Sequence, residues 1–197
     1  MILSHKHKYI FVKTRKCATS SLEKILSQNI GDDDILTGSK RDGVFQKNAK
    51  GINPHISAND LSLLFPYEWK NYFKFSMVRN PFDTLVSFFY FHKKIEPHKK
   101  LFQGSFDDFI SRADLKDFND WYSITKENRV IIDRVFKYES LQEIDEDHRV
   151  PNIQSIGSVF VKSGYRETRN YKDYYTNDMV KAVKKEFKDY MNYYGYD

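Results

Sequence analysis

The stretch from Lys8 to Gln28 constrains the fold more than any other part of the chain. Tyr9 to Val12 is an unbroken apolar run, the pattern of a strand buried on both faces. Leu22, Ile25 and Leu26 then fall at i, i+3 and i+4, the spacing of one helix face. Ser20 with Glu23 reads as a Ser-x-x-Glu capping box at the start of that helix. A strand that hands over directly to a helix leaves Lys13 to Thr19 at the helix N-terminus. Backbone N–H groups and the positive end of the helix dipole point there, which makes the turn an anion site in waiting. Lys13, Arg15 and Lys16 add full charge, and Thr14, Thr19, Ser20 and Ser21 add neutral donors. Two readings fit these residues, a solvated basic turn or a cradle for phosphate or sulfate. The common nucleotide P-loop is not one of them, because Gly-x-x-x-x-Gly-Lys-Ser/Thr is absent and the turn contains no glycine.

Composition narrows the class of ligand. The 197 residues carry a net charge of +5 with a pI near 9.0. That balance favours anionic partners without choosing among a nucleic acid, a nucleotide and an acidic glycan. The lysines are dispersed instead of gathered into a basic tail, which argues against nucleic acid. A length of 197 residues fits one domain, 1–197, with a substantial core. Cys17 is the single cysteine, so no internal disulfide can form and a reducing, cytoplasmic compartment is expected. No apolar run approaches the roughly 18 residues of a membrane span, so no membrane association is expected. The start of the chain lacks a signal-peptide core.

Further along, residues 29 to 54 read as a long connection with a short strand at Ile35-Leu36. Ser57 and Asp60 cap a helix carrying Leu61, Leu64 and Phe65, which Pro66 stops. Phe73 to Val78 is a second buried strand that runs straight into a second helix start. There Asn80 is the N-cap, Pro81 the first helical residue and Asp83 lies in the first turn. That helix runs to about Lys94. Ser105 and Asp108 start another, Ile131 to Tyr138 reads as a strand, residues 150 to 175 are irregular, and a final helix covers 177 to 193. Alternating strands and helices predict an α/β domain with a central, largely parallel sheet flanked by helices. In such sheets ligands gather at the carboxyl ends of strands. Both strand-to-helix junctions, Lys13 to Ser21 and Arg79 to Ser87, then open on one edge. Two anion sites a nucleoside apart suit a ligand phosphorylated at both ends.

With these blocks in hand, the sequence resembles the sulfotransferases that use 3′-phosphoadenosine 5′-phosphosulfate (PAPS), in particular soluble relatives of the carbohydrate sulfotransferases. The run from Phe11 to Leu22 is similar to the family's 5′-phosphosulfate loop, and Phe75 to Ser87 to its Val-Arg-Asn-Pro-x-Asp-Arg-Leu-Val-Ser block. A third, diffuse block covers Phe136 to Leu141, Lys162 to Arg166, Tyr174 to Thr176 and Tyr194 to Tyr196. The resemblance implies a P-loop-like sulfotransferase fold and a loop formed by Arg15, Lys16, Cys17, Ala18, Thr19, Ser20 and Ser21. Arg79 and Ser87 would hold the 3′-phosphate, and Lys162, Arg166 and Arg169 would cover the nucleotide. Three positions depart from the family pattern: Arg15 replaces its Pro, Cys17 its Thr and Ala18 its Gly. Alanine at that position requires the turn either to avoid positive φ or to tolerate strain.

The chemistry so implied is in-line sulfuryl transfer from PAPS to an acceptor hydroxyl of a carbohydrate, with adenosine 3′,5′-bisphosphate as product. Lys16 would stabilise the leaving phosphate and His55 would act as general base. His55-Ile-Ser57 resembles the His-x-Ser/Thr segment of the glycan 2-O-sulfotransferases. His5, His7, His92, His98 and His148 lie among charged residues and read as solvated. No spacing of histidines, cysteine and carboxylates forms a metal site. Two alternatives stand beside the transferase: a kinase-like phosphotransferase, and a non-catalytic nucleotide- or glycan-binding relative.

Overall fold

A computed structural model describes residues 1–151, 164–166 and 170–197. The chain divides into two compact units, Met1–Val78 with Tyr122–Val161, and Arg79–Trp121 with Lys162–Asp197.

The first unit is built on a five-stranded sheet. In chain order its strands are β1 (Ile2–Ser4), β2 (Tyr9–Val12), β3 (Ile35–Leu36) and β4 (Phe73–Val78); a separate hairpin, β5 (Thr125–Lys126) with β6 (Arg129–Val130), precedes the fifth, β7 (Arg134–Lys137). The hairpin turns on Glu127 and Asn128, both at positive φ, the backbone that a tight two-residue connection requires. The sheet order is β3-β1-β2-β4-β7. β2, β4 and β7 are parallel, with Phe11 opposite Phe75 and Ser76 opposite Val135, whereas β1 pairs antiparallel with both β2 and β3. The largely parallel sheet expected from the sequence is therefore mixed. The reason is local: only His5 to Lys8 separate β1 from β2, and so short a connection permits only an antiparallel hairpin.

Alternation along the strands gives the sheet two faces. Tyr9, Phe11, Phe75, Met77 and Phe136 share one face and form a single apolar cluster with Leu22 and Leu26 of helix α1 (Thr19–Leu26) and with Ile144. Phe75 sits at its centre, with ring centroids 5.2 Å from Phe11, 5.5 Å from Tyr9 and 6.1 Å from Phe136. Ile10, Val12, Ser76 and Val78, which point the other way, are also fully buried. Helices α2 (Ala58–Leu64) and α3 (Pro66–Asn71) complete the long connection before β4. Ser57 caps α2 by accepting from the Asp60 N–H. Pro66 does more than stop that helix, because it also serves as the first residue of α3, where its missing N–H is no loss.

In the second unit α4 (Pro81–Ile95) starts as predicted, with the Asn80 side chain accepting from the Phe82 N–H at 3.0 Å. α5 (Phe106–Arg112) opens on a complete Ser105–Asp108 capping box. Phe89 packs between Phe106 and Phe109, 5.6 and 5.4 Å away. The short α6 (Trp121–Ile124) begins at the last residue of this stretch and continues into the first unit, which also holds α7 (Gln142–Glu146); the last predicted helix, in the second unit, proves to be two, α8 (Asn177–Glu186) and α9 (Lys188–Tyr194), divided at Phe187. His92 is not solvated either: its ring stacks 4.2 Å from Phe88 and 4.9 Å from Phe102, and Nδ1 lies 2.6 Å from Glu96. Among the described residues no helix is long and apolar enough to cross a membrane.

One buried charge pair anchors α1 to the sheet. The fully buried Glu23 accepts from Lys13 Nζ at 2.5 Å and from the Met1 amine at 3.3 Å. Burial pushes that amine down to about 5 against the pull of Glu23, so at neutral pH Lys13 is the carboxylate's cationic partner. Burial also pushes the Glu23 carboxyl up, but the Met1 amine and Lys13 outweigh it and hold the group below its ordinary value. Glu23→Gln leaves Lys13 buried without its counter-charge and is expected to reduce the unfolding free energy by about 3 kcal/mol in urea titrations at neutral pH. The deficit relative to wild type is full above about pH 4.3, the ordinary glutamate value, and shrinks as the pH falls through the lower value of the folded state.

Candidate functional site

β2 and β4 are adjacent and parallel, so the chain leaves the sheet at the same edge after Val12 and after Val78. The first exit is the turn from Lys13 to Ala18. Lys16 and Ala18 both lie at φ 58°, while Cys17 between them keeps an ordinary negative φ. Left-handed residues flanking a residue of ordinary hand are a backbone pattern that recurs in anion-binding nests. Ala18, placed where the sequence pattern leads one to expect glycine, does not avoid positive φ; it tolerates it.

Hydrogen bonds lock the turn in place. The Thr14 hydroxyl donates to the Met77 carbonyl, and the Ser76 hydroxyl donates to the Val12 carbonyl at 2.8 Å, so the ends of the two strands are stitched together. Thr19 donates its hydroxyl proton to the Thr14 carbonyl at 2.7 Å and closes the loop. The protons of Thr14 and Thr19 are thus committed to the protein, and their hydroxyls shape the turn instead of offering donors to a ligand. Cys17 donates from Sγ to the Arg15 carbonyl at 3.1 Å and packs into the core. Ser20 and Ser21 are buried, and Arg15 and Lys16 are half-buried.

The expected Ser20–Glu23 capping box does not form. α1 starts two residues earlier than such a box would place it, at Thr19, its N-cap is Ala18, and no side chain caps it. Glu23 is turned instead toward Lys13, because a buried ion pair outweighs a surface cap. At this helix start the Ser21 and Leu22 N–H groups donate to the Ala18 carbonyl at 2.9 and 3.1 Å.

His55 comes to this turn from the connection before α2. Its Nδ1 lies 2.9 Å from the Lys13 carbonyl oxygen. A carbonyl can only accept, so Nδ1 carries the proton and Nε2 is the basic nitrogen. The His55 backbone N–H is held by Asn53 Oδ1 at 2.8 Å, and the ring is exposed. The sequence-predicted base and the sequence-predicted loop therefore share a hydrogen bond.

The second exit belongs to the other unit. Arg79 is 6% exposed, and Asp83 Oδ2 accepts from its Nε at 2.9 Å and its Nη2 at 2.6 Å. Arg166 donates from Nη1 to the other oxygen of the same carboxylate. Ser87 lies four residues beyond Asp83, on the same face of α4. The Arg79 backbone is held by the Tyr190 hydroxyl, which accepts from its N–H at 3.1 Å and donates to its carbonyl at 2.9 Å. Phe82 stacks on Tyr171, whose hydroxyl accepts from Asn80 Nδ2 at 3.3 Å. Lys162 and Arg169 lie outside the described residues.

The sequence reading missed Asp83 as the partner of two arginines, Lys13 as a buried structural cation, and Tyr190. Only the Arg79–Asp83 pair left a signal, its i, i+4 spacing. Among the described residues no group of three or more His, Cys, Asp or Glu is arranged to hold a metal ion.

A family model described as "Sulfotransferase family" matches residues 1–197, the whole chain. No curated protein and no solved structure matches.

The strained cap gives a test of the turn itself. Left-handed backbone costs an alanine about 1–2 kcal/mol, and the extra unfolded-state freedom of glycine returns about half of that. Ala18→Gly is therefore expected to raise the unfolding free energy by about 0.5–1 kcal/mol, read as a higher urea midpoint with an unchanged slope.

Proposed function

The chain belongs to the sulfotransferase family, and we propose that it moves the sulfuryl group of PAPS to an acceptor hydroxyl of a carbohydrate. The observation that carries this reading is the hydrogen bond from His55 Nδ1 to the Lys13 carbonyl, which sets a basic nitrogen beside an uncapped, nest-shaped helix start.

In this reading the turn is P-loop-like. The backbone of Arg15 to Thr19, with Ser20 and Ser21, holds the 5′-phosphosulfate, and Lys16 lies over the bridging oxygen. Arg79 and Ser87 take the 3′-phosphate, and Lys162, Arg166 and Arg169 cover the nucleotide. His55 Nε2 accepts the proton of the acceptor hydroxyl as its oxygen bonds to sulfur. The bond from sulfur to the 5′-phosphate oxygen breaks in line, and Lys16 stabilises the charge left on that oxygen. The products are a sulfate monoester and adenosine 3′,5′-bisphosphate. The protein mainly positions the groups and meets the developing charge, as in phosphoryl transfer. A carbohydrate acceptor is supported by the likeness of His55-Ile-Ser57 to the glycan 2-O-sulfotransferases and by the +5 charge. The reading takes the chain as a single domain at work in the cytoplasm.

Thermal-shift and transfer assays test this together. Adenosine 3′,5′-bisphosphate is expected to raise the melting temperature, and ATP with Mg²⁺ is not; the reverse would point to a phosphotransferase. Lys16→Ala is expected to lower kcat for sulfate transfer by about 10²–10³-fold, and His55→Ala by about 10²–10⁴-fold. Bisphosphate binding with no transfer to any glycan in an acceptor panel would mark the chain as a binding relative. Near-wild-type turnover in His55→Ala would remove His55 as the base.

A further inference from the structure

We propose that Glu23 is a positioning residue for the base: through Lys13 and Met1, this one buried carboxylate fixes both the ring and the backbone of His55. The inference rests on the reading of His55 above and deepens it, since the stretch that resembles the phosphosulfate loop stops at Leu22 and leaves Glu23 outside the site. Every residue involved lies in the first unit.

Two short paths lead from the carboxylate to His55. On one, Oε2 accepts from Lys13 Nζ at 2.5 Å, and the carbonyl of the same lysine accepts from His55 Nδ1 at 2.9 Å. On the other, Oε1 accepts from the Met1 nitrogen at 3.3 Å, which also donates at 3.2 Å to the carbonyl of Pro54, the residue before His55. Thr37 braces this second path by donating its hydroxyl proton to the Met1 carbonyl at 3.1 Å. The Lys13 and Glu23 side chains are buried, at 4% and 0% exposure, whereas the His55 ring is exposed. The fixed part lies in the core, and the ring it holds faces solvent, where an acceptor hydroxyl can reach it.

Lys13 is the first residue beyond the paired part of β2, where the ladder no longer dictates the direction of its carbonyl. A cation in the core keeps its place only while its counter-charge is present; without it the ammonium turns out to water and takes the backbone with it. The carbonyl then stops facing His55, and Nδ1 loses its acceptor. A free imidazole prefers its proton on Nε2, the nitrogen that must be bare to act as base. The Nδ1 hydrogen bond therefore selects the working tautomer as well as the ring's direction. Catalytic bases are commonly oriented by a third group. Here that group is a neutral carbonyl, and the charge that fixes the carbonyl lies deeper in the core. A carboxylate that only tied α1 to the sheet would alter stability and leave the His55 ring as it is.

Nuclear magnetic resonance of the full chain with isotopically labelled histidine reads the ring directly. The His55 signals are those missing from His55→Ala, and their nitrogen shifts tell which ring atom carries the proton when the imidazole is neutral. Wild type is expected to hold it on Nδ1, and Glu23→Gln to move most of it to Nε2. Turnover of PAPS to adenosine 3′,5′-bisphosphate, with water or a glycan of the acceptor panel taking the sulfuryl group, gives the second readout. Glu23→Gln is expected to lower its kcat about 10- to 100-fold and to change the KM for PAPS less than about threefold. In the His55→Ala background Glu23→Gln is expected to change kcat less than about threefold, because the two residues act together. The double variant Glu23→Gln/Lys13→Met removes both charges and is expected to recover most of the stability but neither the tautomer nor kcat; it decides the matter where Glu23→Gln alone does not fold. A wild type with the proton on Nε2, an unchanged tautomer in Glu23→Gln, or a shifted tautomer at wild-type kcat would each overturn the proposal. So would a double variant that regains both readouts, since Glu23 would then supply stability alone, and so would a full further loss in the His55→Ala background. A wild type that turns over no PAPS would overturn the transferase reading itself, and this inference with it.

Discussion

Parallel pairing of β2 with β4 is the constraint on which the rest depends. Two neighbouring parallel strands must end at the same edge of a sheet, and each must be followed by a segment that crosses back. Val12 and Val78 end those strands, and in both places the next elements are a basic residue and a helix start. The central cluster around Phe75 fixes this pairing, since Tyr9, Phe11 and Phe136 reach it from both neighbouring strands. A one-residue slip of either strand would turn those rings to the opposite face. The register that buries the aromatic face therefore also fixes where the chain departs from the sheet. Ser76 and Thr14 reinforce it there, by hydrogen bonds to carbonyls at the end of the neighbouring strand.

The turn after β2 shows how left-handed backbone is held in place without glycine. Lys16 and Ala18 adopt left-handed backbone at an energetic cost, and the structure holds them in it. Thr19 closes the loop onto Thr14, Cys17 anchors its middle in the core, and His55 pins its first carbonyl. The side chains that the chemistry would use are therefore fewer than those the sequence offers, because several hydroxyls are occupied in holding the shape.

What the sequence makes legible follows from the range of the forces involved. Capping by Asn80, Ser57 and Ser105 involves neighbours within three residues, and all three caps appear where their spacing placed them. The buried strands at Tyr9 and Phe73 declare themselves by apolar runs. β1 escaped because three residues beside a charged turn carry too little periodicity to stand out, and it is what makes the sheet mixed. The Ser20–Glu23 box failed because a local cap competed with a partner ten residues away, and burial favoured the ion pair. The division of the last helix at Phe187 and the stacking of His92 also depend on packing that no local pattern encodes. In the candidate site, the residue types of both junctions were readable, whereas the roles of Asp83 and Tyr190 arise from contacts that span from 83 to 111 residues.

Two carboxylates, Glu23 and Asp83, each hold cations near a helix start, and they differ in burial and in their partners. Glu23 is fully buried and meets one lysine at neutral pH, with the Met1 amine beside it neutralised by burial. Charge there is balanced one to one, and such a pair has nothing further to bind. Asp83 meets two arginines, Arg79 and Arg166, and solvent still reaches the cluster through Arg166. A one-to-one pair explains why Lys13, for all its place in a basic turn, belongs to the core.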